Sequence, residues 1–144
     1  MKPVLLLIPG MLNTAAIWGR VAPLLESAAE VRIASVQTQT SIAEMARDAW
    51  AQLADVPATT RVVLCGFSMG GYVAIEMLAR PQRAVAGLVL LDTSGRPESD
   101  EGELARAKTI AAFERNFPKV VETMLAYSTH PDHHQDPTRT GAFA

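Results

Sequence analysis

A serine stands among glycines in Gly66-Phe67-Ser68-Met69-Gly70-Gly71, and no other stretch of the chain is so well suited to chemistry. A Gly-x-Ser-x-Gly run between an apolar strand and a helix is the pattern of a nucleophile elbow. The serine occupies a sharp turn with a strained backbone, and its hydroxyl is presented clear of the sheet. Residues two before and two after it then crowd together, so side chains there would clash; Gly66 and Gly70 hold those places. The turn also opens a helix whose first amides, that of Met69 among them, lack intrahelical acceptors and favour developing negative charge. Serine attack on a carbonyl, with the oxyanion held by backbone N–H groups, is the chemistry this pattern serves. The rival for a strand, Gly-rich turn and helix is a phosphate-binding turn. That motif wants G-x-G-x-x-G, and Ser68 replaces its second glycine; no G-K-[ST] occurs either.

The elements needed to hold such a turn are legible around it. Val62 to Cys65 reads as a short buried strand before the turn, and Met69 onward as a helix. That helix is apolar nearly all round, with Glu76 the interior exception, as in a buried helix. Pro3 to Ile8 is a continuous apolar run, the signature of a strand covered on both faces. Pro9 to Asn13 turns out of it, and Asn13 or Thr14 caps a helix carrying Ile17, Trp18, Val21, Leu24 and Leu25. Pro23 requires a kink there, or two short helices. Val31 to Val36 alternates as a second strand, and Ser41 with Glu44 forms a capping box for a helix to about Ala54. Ala86 to Leu91 is a fourth strand, ending at Asp92.

Strands alternating with helices imply right-handed crossovers and an α/β fold, a mostly parallel sheet flanked by helices. Sites in such sheets form beyond the carboxyl ends of the strands. The turns at 9–13 and 66–71 both follow such ends and are expected to face one site. From Thr93 the chain turns polar, and two helices are expected at about 103–116 and 118–127, with Pro118 in a first turn. The expected organisation is a core over residues 1–97, a helical segment over 98–127 and a loosely ordered tail over 128–144.

Composition narrows the function classes. With 144 residues, 49% apolar and 19% charged, the chain is one globular domain at most. A net charge of −2 without a basic run argues against nucleic acid or an anionic membrane as partner. No secretory signal or membrane span is legible, so a cytoplasmic location is expected. The single cysteine, Cys65, excludes an intrachain disulfide and reads as a small apolar strand residue. Trp18 and Trp50 read as packing residues rather than substrate platforms.

The residues PVLLLIPGMLN, VVLCGFSMGG and GLVLLDT together resemble the α/β-hydrolase fold family, in particular its small esterase-like members, over about residues 3–127. The resemblance implies an oxyanion hole built from the backbone amides of Met11 and Met69, with Ser68 as nucleophile. It implies a small-molecule acyl substrate (an ester, thioester or similar bond) and no metal or organic cofactor. Family members usually carry His-Gly where this chain has Pro9-Gly10; backbone donors do not depend on that side chain. The segment from Thr93 resembles the start of a helical cap. A dehalogenase of the same fold would be expected to have aspartate at the elbow, so Ser68 argues against it.

The family's acid and histidine normally follow two further strands, which the chain lacks, so it resembles the first half of a hydrolase. A serine hydroxyl needs a base within reach and a group orienting that base. The histidines are His130, His133 and His134, in a polar tail read as solvated rather than as a general base or a metal cluster. Asp92 follows a strand end, where an acid is more often structural than catalytic. The competing expectation is a remnant or interaction module of the same fold without catalysis. Without later strands, the uncharged run 86–91 would present an unpaired edge that invites self-association.

Overall fold

The structure, a computed structural model, describes residues 2–128 and 130–133. The chain divides into two compact units, the first reaching to Gly95 and the second starting at Arg96.

Four strands make one parallel sheet in the first unit: β1 (Val4–Ile8), β2 (Glu30–Ile33), β3 (Val62–Phe67) and β4 (Gly87–Leu91), in the order β2-β1-β3-β4. Val4 pairs with Glu30 on one side and Val62 on the other, so β1 is central and paired along its whole length. Its unbroken apolar run follows from that placement. Val4, Leu6 and Ile8, with Val62 and Leu64 of β3, face one layer; Leu7 and Cys65 face the other. The first layer is covered by α2 (Ile42–Ala51) and α3 (Met69–Ala79), through Ala46, Ala49, Trp50, Val73, Ala74 and Met77. The second is covered by Trp18 and Ala22.

The expected helix after the first turn is two short pieces, a 3-10 turn (Ala15–Trp18) and α1 (Ala22–Leu25). Thr14 rather than Asn13 caps the first, its hydroxyl accepting from the Ala16 amide at 3.3 Å, and Pro23 starts the second. Strand β2 stops at Ile33 instead of running to Val36, because its partner β1 ends at Ile8. Ser41 caps α2, accepting from the Glu44 amide at 3.2 Å. The Glu44 carboxylate reaches back to the amide and hydroxyl of Thr40, both at 2.9 Å. Helix α3 is less enclosed than its composition suggests, since Tyr72 and Leu78 are exposed while Gly70, Gly71, Val73, Ala74 and Met77 are buried.

Arg32 fastens the edge strand β2 to the end of α2. Its guanidinium forks onto both oxygens of Asp55 and also donates to Glu30 and to the Gln52 carbonyl. Arg32 thereby holds the Asp55 carboxyl below its usual range, and hydrogen bonds from Thr40 and Gln39 do the same for Glu44 and Asp48. A carboxyl depressed in the folded state stabilises above its unfolded value, near 4, and that contribution is lost as pH falls through the folded value. The urea midpoint is therefore expected to be flat from neutral pH to about 5 and to fall below about 4. A midpoint unchanged at pH 3 would contradict the assignment.

In the second unit, α4 (Asp100–Ser128) is two helices merged across a kink at Asn116. The Asn116 side chain accepts from the Lys119 amide at 3.1 Å, capping the second piece, and Pro118 sits in its first turn. Arg106 forks onto Glu98 ahead of the first piece. A further 3-10 turn spans Pro131–His133. Most of the expected tail, including His134, lies outside the described residues. No helix among the described residues is long and apolar enough to cross a membrane.

Candidate functional site

Ser68 lies between the end of β3 and the start of α3, with φ 52° and ψ −119°. A left-handed φ on a residue with a Cβ is costly, and it persists only where its surroundings fix it. The surroundings are specific here. The Ser68 amide donates to the Leu91 carbonyl at 2.9 Å, so the end of β4 holds it from one side. Its carbonyl accepts from the Gly71 amide at 2.9 Å and from the Thr93 hydroxyl at 2.8 Å.

Glycines make the turn sterically possible. A Cβ on Gly66 would overlap the Gly70 carbonyl oxygen and lie 2.6 Å from the Gly71 Cα. A Cβ on Gly70 would overlap the Ile8 carbonyl oxygen and lie 2.7 Å from that of Pro9. The start of α3 is thus pressed against the carboxyl end of β1, and that contact brings the two glycine-bearing turns together. A Cβ at Gly10 would stand 3.2 Å from the Ser68 Cβ. Gly10, Met11 and Met69 line one cavity, so the three expected site residues, Ser68, Met11 and Met69, gather at the carboxyl end of the sheet. Leu12, in the same turn, also has a left-handed φ of 60°.

Beneath the serine, Phe67 packs edge-on against Trp18 at 6.4 Å. Trp18 and Trp50 are both buried, as packing residues should be. Burial pushes the Cys65 thiol up, away from the thiolate a nucleophile needs. Helix α3 points its N-terminus at Ser68, so its first amides and dipole favour an anion there.

The other candidates are placed less favourably. Asp92 follows β4 with a left-handed φ of 47° and its side chain exposed. His130 belongs to the second unit, exposed and 3.6 Å from the Asp132 carboxylate. The first unit contains no histidine.

Thr93 was not singled out by sequence, although it follows Asp92 directly. Its role depends on the approach of β4 to the turn, which no local pattern encodes. Thr93→Val keeps the shape and removes the hydroxyl, and is expected to lower stability by about 1 kcal/mol in urea denaturation. Thr93→Ser should restore most of that loss. A valine variant as stable as the parent would mean that the hydroxyl contributes nothing.

The model of the alpha/beta hydrolase family matches residues 5–143. This chain belongs to the alpha/beta hydrolase family. Among solved structures, a thermophilic esterase from Thermogutta terrifontis superposes with a TM-score of 0.72 at 25% identity. It matches 100% of this chain and 58% of its own length. An N-acyl homoserine lactone degrading enzyme superposes at 0.71 with 23% identity, matching 98% of this chain and 56% of its own. A type II thioesterase from a yersiniabactin biosynthetic pathway superposes at 0.53 with 17% identity, and at that identity shares the fold alone. No curated protein matches the chain. This hydrolase-family chain spans a little under three-fifths of the length of the structures it resembles.

Proposed function

We propose that the protein is a serine hydrolase acting on an ester, thioester or similar acyl bond of a small molecule, with Ser68 as nucleophile. The observation that carries this reading is the left-handed Ser68 set at the N-terminus of α3 beside the Gly10–Met11 turn. In the reaction, Ser68 Oγ bonds to the acyl carbon as its proton passes to a general base. The amides of Met11 and Met69 donate to the tetrahedral oxyanion. Collapse expels the alcohol or thiol, which takes the proton, and water then releases the acid and restores the hydroxyl. The first unit has no histidine, so an imidazole base comes from outside residues 1–95.

Acetyl transfer from p-nitrophenyl acetate tests the role of Ser68 independently of fast turnover. After trypsin digestion, which spares the Arg80-Pro81 bond, mass spectrometry should find acetyl on the peptide 62–83, which contains no lysine and a single serine. Labelling confined to lysines, or equal labelling of that peptide in urea, would favour a remnant of the fold without catalysis.

We propose in addition that the outer edge of β4 pairs with a second copy of the chain. Leu88, Val89, Leu90 and Leu91 are each about two-fifths exposed, and β4 is the last strand of the sheet. Such an uncharged edge offers unpaired backbone groups to another strand. Light scattering should show association at micromolar concentration, lowered by Val89→Lys. A monodisperse monomer across that range would refute the pairing.

A further inference from the structure

Next to Ser68 lies a cavity of about 250 Å³, walled by Met11 and Leu12 of the first turn, Val36 beyond β2, Met45 of α2, and Met69. Gly10, which packs against Ser68, completes the wall on the serine's side. None of the lining residues carries a charge. The polar groups present are amides: Asn13, only 4% exposed, and Gln37 at the rim.

We propose that this cavity receives the uncharged apolar group of the acyl substrate, a straight chain or single ring of roughly six to eight carbons, since an apolar cavity of ~150 Å³ accepts benzene. Met45 sets its length. The inference rests on Ser68 being the acyl acceptor. Three methionines give a wall that adapts to an unbranched or flat group, because the thioether chain is flexible and polarizable. A charged substituent would enter without a partner and lose its hydration, so it is excluded. A neutral oxygen near the carbonyl end is tolerated, because Asn13 can both donate and accept. Strained residues cluster at binding sites, and Leu12 on the cavity wall shares the left-handed φ of Ser68 beside it. Met45 lies on α2, a different element from those that carry the expected oxyanion donors, so its side chain can be changed without altering their backbone.

The test is titration of the Ser68→Ala protein, carrying ¹³C-methyl methionine, with 2-octanone as a neutral ketone probe. Methyl signals of Met11, Met45 and Met69 should shift, while that of the fully buried Met77 should not. The ketone 7-oxooctanoate, identical but for a charged end, should bind at least about tenfold more weakly. Met45→Trp should weaken 2-octanone binding by a similar factor. Met45→Ala, which enlarges the space, should shift preference towards 2-decanone even if the tryptophan variant does not fold. Absence of shifts at the three methyl groups, or equal binding of the charged ketone, would overturn the proposal. The titration needs no turnover. Shifted methyl signals without acetylation of Ser68 would therefore sink the hydrolase reading, and with it the acyl assignment, and leave the cavity as a site for neutral apolar ligands.

Discussion

Gly70→Ala is expected to cost at least about 3 kcal/mol of unfolding free energy, a large share of the 5–15 kcal/mol typical of a domain. The new methyl would meet the Ile8 and Pro9 carbonyls, which are backbone atoms at the end of the central strand. Backbone there cannot yield without breaking the pairing of Ile8 with Gly66. The alternatives are to tilt α3 off the sheet, which uncovers Val73, Ala74 and Met77, or to release the strained turn at Ser68. Either outcome removes the site. Gly95→Ala is the control, because a Cβ there meets only Ile75 Cδ1 at 3.7 Å, an ordinary contact. It should stay within about 0.5 kcal/mol of the parent. If Gly70→Ala unfolds within 1 kcal/mol of the parent, ~1 kcal/mol being the centre of ordinary substitutions, the close approach of α3 to β1 is wrong.

Turnover of p-nitrophenyl acetate by the 144-residue chain is expected to be on the order of 10⁶-fold slower than by the Thermogutta terrifontis esterase measured beside it. The reason is the distribution of ionisable groups rather than the turn itself. Helix α3 and the two turns hold the proposed oxyanion donors, but the unit holding Ser68 has no imidazole to take the proton. What remains is binding and electrostatic stabilisation, which alone sustain a small fraction of triad catalysis. Ser68→Ala should remove that remainder. Fast turnover that depends on Ser68 would mean that His130, His133, His134 or a second copy supplies the base. Single replacement of each histidine by alanine would then identify it, and loss with none of them would point to a base other than histidine.

Local pattern was enough for the parallel α/β architecture. The unbroken apolar run of β1, the Ser41 cap and the Gly66–Ser68–Gly70 spacing each report a physical demand made within a few residues. Burial on both faces, an orphan amide and a turn too tight for side chains all leave marks in sequence. The position of Ser68 was legible for that reason, as were its flanking glycines and the break at Pro118. Element ends were less so: β2 stops where its partner stops, and the sequence of β2 does not contain the length of β1. Tertiary structure alone decided which distant residues meet. It set Gly10 against Ser68, placed the Thr93 hydroxyl on the Ser68 carbonyl, and brought Met45 of α2 to the cavity beside Met11 and Met69. The Thr93 contact alone spans 25 residues along the chain. These contacts arise from the right-handed crossovers that stack strand ends at one edge of the sheet, and such long-range closure has no local signature.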